Sequence, residues 1–308
     1  MKQSNQSIQK SAALVLEHHL GKRPKKLKPI RGGLVNQVFE AQVDGEEMIL
    51  RISSCAERLQ FFMKEQWAVN AARRKKVPTP EILEVSNEVI GWPYMISRKV
   101  DGQPAGPLGH SRTSVLHELG HYAALINAIP THDFGHIFDW SRNKLSRNRT
   151  WESYLDTELN VEQRLEVLRR ARVLKPRALK KLRKEIDLIR SWKTKPSLNH
   201  SDLRLKNVIL DQNRKIIAII DWEECTSNIA PYWELSIALH DLTMDEKESF
   251  LQGYGLDLKE YTRIAPEIKA LNLLNYSRTI SHAVERKDKA SLARLRMRLS
   301  GAFDLYSL

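Results

Sequence analysis

The stretch from His200 to Trp222 constrains this chain more than any other. It reads His200-Ser201-Asp202-Leu203-Arg204-Leu205-Lys206-Asn207, then Val208-Ile209-Leu210, a polar turn, and Lys215 to Ile220 ahead of Asp221-Trp222-Glu223. Histidine, aspartate and asparagine therefore stand in the spacing H-x-D-x-x-x-x-N. The two apolar runs predict the strands of a hairpin around Asp211-Gln212-Asn213-Arg214. Such a hairpin carries the chain back on itself and leaves Asp221 beside Asn207. An amide oxygen and a carboxylate held together make a hard, all-oxygen site suited to magnesium bridging phosphates. The plain alternative is a hairpin after a polar loop, with Asp202 forming a turn and Asn207 capping a strand. A strand that ends in aspartate at the right distance favours the site.

The same spacing occurs in kinase catalytic loops, where the aspartate accepts the proton of the substrate hydroxyl and the asparagine holds magnesium. With Ile219-Ile220-Asp221-Trp222-Glu223 behind it, the segment resembles the aminoglycoside phosphotransferase and choline kinase group of small-molecule kinases. Asp221-Trp222-Glu223 stands where protein kinases carry Asp-Phe-Gly, which sides with the small-molecule branch. The resemblance implies an α+β, bilobal protein-kinase-like fold. Residues 1–98 form a small antiparallel-sheet N-lobe that binds nucleotide, and residues 99–308 a larger, mainly helical C-lobe that carries the catalytic loop and the acceptor site. It also implies a γ-phosphate donor, ATP with GTP left open, together with Mg2+, and a small hydroxylated acceptor: aminoglycoside-like, sugar or amino alcohol. Asp202 is then the catalytic base, and Asn207 and Asp221 are the metal ligands. His200 supports the loop through a hydrogen bond. Arg204 is either a contact for the γ-phosphate or an anionic substrate group, or a surface arginine.

Taken in order, residues 6–20 predict a short amphipathic helix, and the alternating Val35, Gln37, Phe39, Ala41 a strand. That strand pairs with Glu47 to Ile52 across the Asp44-Gly45 turn. Gly32 and Gly33 before the strand let backbone approach nucleotide phosphates, and the resemblance puts Asn36 where that loop closes. The family's phosphate-binding lysine aligns with Arg51, which keeps the charge but offers a planar fork. Residues 56–76 predict a helix, and the resemblance implies that its Glu65 pairs with Arg51. Strands follow at 82–85 and 92–96. The Ser97 to Gly102 linker, with Ser97 and Lys99, offers backbone to adenine. Helices are expected at 114–129, 151–159, 161–192, after Pro231, and over most of 244–308. Glu234 stands where the family often has an aspartate that anchors the catalytic loop.

The helix at 114–129 contains His117-Glu118-Leu119-Gly120-His121, the H-E-x-x-H pattern of zinc peptidases. Both histidines fall opposite the apolar face; catalytic zinc requires a third protein ligand, and His132 and His136, though near, do not fit the extended zincin spacing. A kinase fold that senses a ligand without transferring phosphate is the non-enzyme rival. Two cysteines, Cys55 and Cys225, make no disulfide framework and suit a reducing cytoplasm. No apolar run is long enough to span a bilayer. The net charge of +13 concentrates in Lys22 to Arg31 and in 164–195, the latter holding thirteen lysines and arginines against few acids. Solvated helix faces account for such runs, as does attraction of polyphosphates or an anionic partner. Without a recognition motif or aromatic platform, nucleic acid is not the expected partner.

Overall fold

Burial alternates residue by residue along two neighbouring strands, and this alternation builds the N-terminal sheet. Phe39, Ala41 and Val43 are buried on one strand, and Met48, Leu50 and Ile52 on the next. The computed structural model describes residues 5–30, 36–43, 45–106, 112–136, 138–139, 144–145, 148–240 and 242–305. Its elements begin with α1 (Asn5–Leu20), β1 (Lys26–Ile30), β2 (Gln37–Val43), β3 (Glu46–Ile52), α2 (Arg58–Arg74), β4 (Ile82–Ser86), β5 (Tyr94–Arg98) and β6 (Gln103–Pro104). The middle of the chain forms α3 (Arg112–Asn127), β7 (Phe138–Asp139), β8 (Lys144–Leu145), α4 (Trp151–Thr157), α5 (Val161–Arg170), α6 (Pro176–Arg190) and β9 (Ser197–Asn199). Then come β10 (Val208–Leu210), β11 (Ile216–Ile219), β12 (Thr226–Asn228), α7 (Tyr232–Ala238), α8 (Met244–Tyr254), α9 (Leu258–Glu285) and α10 (Lys289–Leu305). The fold is α+β, with an antiparallel sheet in the N-terminal region and helices dominating the C-terminal one.

These elements form two compact units, Met1–Ala105 with Lys206–Glu223, and Gly106–Leu205 with Glu224–Leu308. A single cut at 98/99 misses the return of Lys206–Glu223 to the first unit. In that unit five strands run in the order β1-β2-β3-β5-β4, each pair antiparallel. Ala12, Val15 and Leu16 of α1 pack on the sheet with Phe39, Leu50, Tyr94 and Ile96. The basic run ahead of the expected first strand is itself a strand: Lys26–Ile30 pairs with β2 at the sheet edge. An edge tolerates Pro29, which has no N–H, and its lysines discourage pairing with other chains. A second sheet, β11-β10-β6, carries the hairpin.

In the second unit, α9 is the central helix, buried along much of its 28 residues and contacted by α5, α6, α7 and α10. Its start is fixed by a capping box between Asp257 and Glu260. The expected helix over 161–192 is two helices. α5 ends at Arg170, Arg172 adopts left-handed φ 51°, and α6 restarts with Pro176 in its first turn, where its missing N–H costs nothing. α3 and α8 cross closely through glycines. A β-carbon on Gly120 would lie 2.0 Å from the Phe250 oxygen, and one on Gly253 would lie 1.8 Å from the His117 oxygen. The glycine of the H-E-x-x-H pattern thus serves helix packing, while His117 and His121 are exposed. Among the described residues no group of three or more His, Cys, Asp or Glu could hold a metal. Among the same residues no helix is long and apolar enough to cross a membrane.

Candidate active site

In the first unit the hairpin forms as its two apolar runs predict. Val208 pairs with Ile219 and Ile209 with Ala218, and the Ile220 N–H donates to the Asn207 oxygen at 2.9 Å. This ladder sets Asn207 and Asp221 at adjoining positions, one on each arm. Asn207 is buried, while Asp221 is exposed in left-handed backbone at φ 65°. Trp222 is buried behind it, donating its indole N–H to the Ile219 oxygen at 2.9 Å, which fixes the strand end. The short β6 joins the far side of β10.

Both Asn207 and Asp221 line a cavity of about 400 Å³ within this unit. Ile49, Ile82, Met95, Ile209 and Ile220 supply apolar wall, and Arg51, Glu65, Ser97 and Lys99 also line it. Arg51 Nη1 meets both oxygens of Glu65 at 2.7 and 2.9 Å, and its Nη2 lies 3.3 Å from Glu223 Oε2. Burial lowers the proton affinity of this guanidinium, but the carboxylates of Glu65, Glu223 and Asp221 together raise it above its usual value. Arg51 is therefore a fixed cation. Glu223 also stands 3.6 Å from Arg58, and its backbone oxygen accepts from Lys64 Nζ at 2.6 Å. Lys64 is fully buried, so this bond satisfies an ammonium that burial would otherwise penalise.

Other expected nucleotide contacts fare differently. Gly32 and Gly33 lie outside the described residues. Asn36 is buried, with its Oδ1 lacking a hydrogen-bond partner among the described residues, but it does not belong to the described cavity wall. Ser97 pairs with both Ile49 and Ile82. The Lys99 N–H is committed to the Glu47 oxygen at 2.9 Å, and its ammonium to Glu40 and Glu47. Lys99 thus reaches the cavity with its backbone N–H and two of its three ammonium donors engaged.

The second unit holds His200, Ser201 and Asp202 directly after β9, which pairs with β12 in a two-stranded ribbon. Both oxygens of the buried Glu234, on α7, receive backbone N–H groups, from His200 at 2.5 Å and from Ser201 at 3.2 and 3.4 Å. The extra methylene relative to aspartate still reaches the loop. Burial pushes the Glu234 carboxyl up to about 7, with the Asp202 charge adding to the rise and the two N–H bonds opposing it. His200 is fully buried, and its Nδ1 accepts from the Asp202 N–H at 3.3 Å. Asp202 keeps 16% of its side chain exposed and pairs with Arg204 Nε at 3.2 Å. Ser201 adopts φ 64° and accepts from the Trp233 indole at 3.2 Å.

The family's sequence model, that of the phosphotransferase enzyme family, matches residues 26–266. The chain belongs to the phosphotransferase enzyme family. A curated relative, hygromycin-B 4-O-kinase of Escherichia coli, is 22% identical over 211 residues, covering 67% of this chain and 60% of that protein. The match thus spans less than two thirds of the curated relative's length. Among solved structures, a thermostable mutant of aminoglycoside phosphotransferase APH(4)-Ia in ternary complex with ADP and hygromycin B aligns at TM-score 0.70 and 19% identity. It covers 95% of this chain and 97% of that one. Macrolide 2'-phosphotransferase type I aligns at TM-score 0.63 and 17% identity, over 97% and 99%. These likenesses establish the protein-kinase-like fold.

As a member of this phosphotransferase family, the chain departs from the expected pattern at Arg51, and the structure shows the company that arginine keeps. The second carboxylate, Glu223, was not expected as an Arg51 partner. Its signal lay in the residue itself, an acid three places after the hairpin where protein kinases have glycine. The donor set of Asn207 and Asp221 fits magnesium: two hard oxygen ligands at adjoining positions on one cavity wall leave room for water and phosphate oxygens.

Proposed function

We propose that the protein transfers the γ-phosphate of ATP to a hydroxyl of a small polyhydroxylated molecule. The observation that carries this reading is the first-unit cavity, whose lining brings together a carboxylate-fixed Arg51, the Asn207–Asp221 pair and several aliphatic side chains. Its volume is within the range of small-molecule sites. The aliphatic side chains take the adenine, and Arg51 holds the α- and β-phosphates, positioned by Glu65 and Glu223. Asn207 and Asp221 would hold a magnesium ion, which would supply neutralisation of the phosphate charge. Asp202 orients the acceptor hydroxyl and takes its proton as the oxygen attacks the γ-phosphorus. The bond from that phosphorus to the bridging oxygen breaks, and ADP leaves with the electron pair. Positioning and charge neutralisation supply the rate, as phosphoryl transfer requires.

For the acceptor, we infer a small hydroxylated molecule of the aminoglycoside-like, sugar or amino alcohol class, and the charge of this chain favours the less cationic of these. Residues 228–308 hold eleven acidic and eleven basic side chains, without the acidic excess a polycation would call for. The test is ATP turnover by the purified protein against a panel of aminoglycosides, macrolides, sugars and amino alcohols, alongside Asp202→Asn. Turnover with one acceptor class is expected. Asp202→Asn is expected to lose about 10²–10⁴-fold in kcat while still binding ATP. Unchanged turnover in that variant rejects Asp202 as base. ATP binding without transfer to any acceptor favours a ligand-sensing role.

A further inference from the structure

The phosphotransfer scheme makes no use of the basic stretch at 164–195. In the second unit, part of that stretch walls a cavity of about 1500 Å³, formed by the turn between α5 and α6, the start of α6, and residues of α10. Eight of its lining residues are lysines or arginines, and none of the described lining residues is acidic. Three of the eight are engaged elsewhere: Arg169 pairs with Glu166 and Arg183 with Glu162, each at 2.7 Å, and Lys181 has an interaction of its own. Arg172, Lys175, Arg177 and Lys180 are exposed and have no carboxylate partner among the described residues. From α10, Arg296 donates Nε and Nη2 to the Ala171 oxygen at 3.1 and 2.8 Å. A neutral carbonyl fixes this guanidinium at the wall, and among the described residues no carboxylate pairs with it.

The backbone adds to the imbalance. Lys175 is the N-cap of α6, and the first turn of that helix holds no acid, although the positive end of a helix dipole favours acids there. A concave wall of one charge sign focuses its field inward. Local rules broken without internal compensation mark functional places. We propose that this cavity binds a soluble anion with several clustered charges, of the oligophosphate class, through residues that take no part in phosphotransfer. No aromatic side chain lines the wall to stack bases, which disfavours single-stranded nucleic acid.

The probe is tripolyphosphate, titrated calorimetrically into the full chain in magnesium-free buffer at 50 and 200 mM salt. Saturable binding that weakens steeply with salt is expected, because the contacts are charge on charge. The double variant Arg177→Glu/Lys180→Glu should bind at least tenfold more weakly, whereas Arg51→Ala, which alters the nucleotide cavity, should retain the site. Both reversed positions are exposed, and an unchanged melting temperature without ligand confirms that the variant is folded. The proposal is overturned if tripolyphosphate does not bind, or if the double reversal leaves its affinity unchanged. It is also overturned if duplex RNA or anionic vesicles bind more tightly than tripolyphosphate and are lost in the same variant.

Discussion

Glu234 shows how one buried carboxylate can stabilise a loop and make the fold pH-dependent. It receives the His200 and Ser201 N–H groups in a site from which water is excluded. Its carboxyl rises from 4.5 to about 7, mainly through burial. A raised carboxyl pKa means the folded chain holds a proton that the unfolded chain releases first. This contribution to stability is therefore fully present below about pH 4.5 and is lost as the pH rises to about 7, on the order of 3 kcal/mol in all. Urea midpoints between pH 5 and 8 should accordingly fall more steeply for the parent than for Glu234→Gln, which cannot titrate; parallel curves would refute the assignment. The loop anchor was legible as a position, since an acid stood where the family places one, but the carboxyl's shift was not. That shift depends on a burial created by residues distant in sequence. Arg51 is similar: its pairing with Glu65 was implied by the family resemblance, whereas its contact with Glu223 required the strand end to be placed.

Among the elements, the α3–α8 crossing has the sharpest sequence dependence. Two glycines let the backbones meet, and no side chain fits at either place. Gly120→Ala should destabilise the fold by about 1–3 kcal/mol or more, because the contacted atom is backbone and cannot swing away. His117→Ala, on the exposed face one turn earlier, should stay within about 0.5 kcal/mol. Denaturant midpoints of the two variants check this, and added zinc should raise neither. The motif H-E-x-x-H was thus visible, but its meaning lay in the partner helix, which periodicity within one helix cannot reveal. Strand alternation placed β2 and β3 well because a half-buried strand writes its pattern locally. The edge strand β1 has one partner and little burial, so its lysines read only as charge. The break between α5 and α6 was signalled by Pro176, yet the amphipathic pattern on both sides made the run look continuous.

At the scale of the whole molecule, the first unit is assembled from two separated stretches, Met1–Ala105 and Lys206–Glu223. The cavity takes Arg51, Glu65 and Met95 from the first stretch, and Asn207, Ile209, Ile220 and Asp221 from the second. A fragment ending at Ala105 should therefore fail to bind ATP even if its five-stranded sheet forms, whereas the full chain should gain melting temperature with ATP by mass action. Equal ATP affinity for fragment and full chain would show that the second stretch is dispensable. The order of synthesis adds a further consequence. The ribosome releases the sheet first and must then make the hundred residues of Gly106–Leu205 before the hairpin emerges, a delay of roughly 5–20 s at ordinary elongation rates. Throughout that interval Ile49, Ile82 and Met95 form an uncovered apolar floor, so the nascent chain is open to chaperone capture for as long as the missing wall is still being translated.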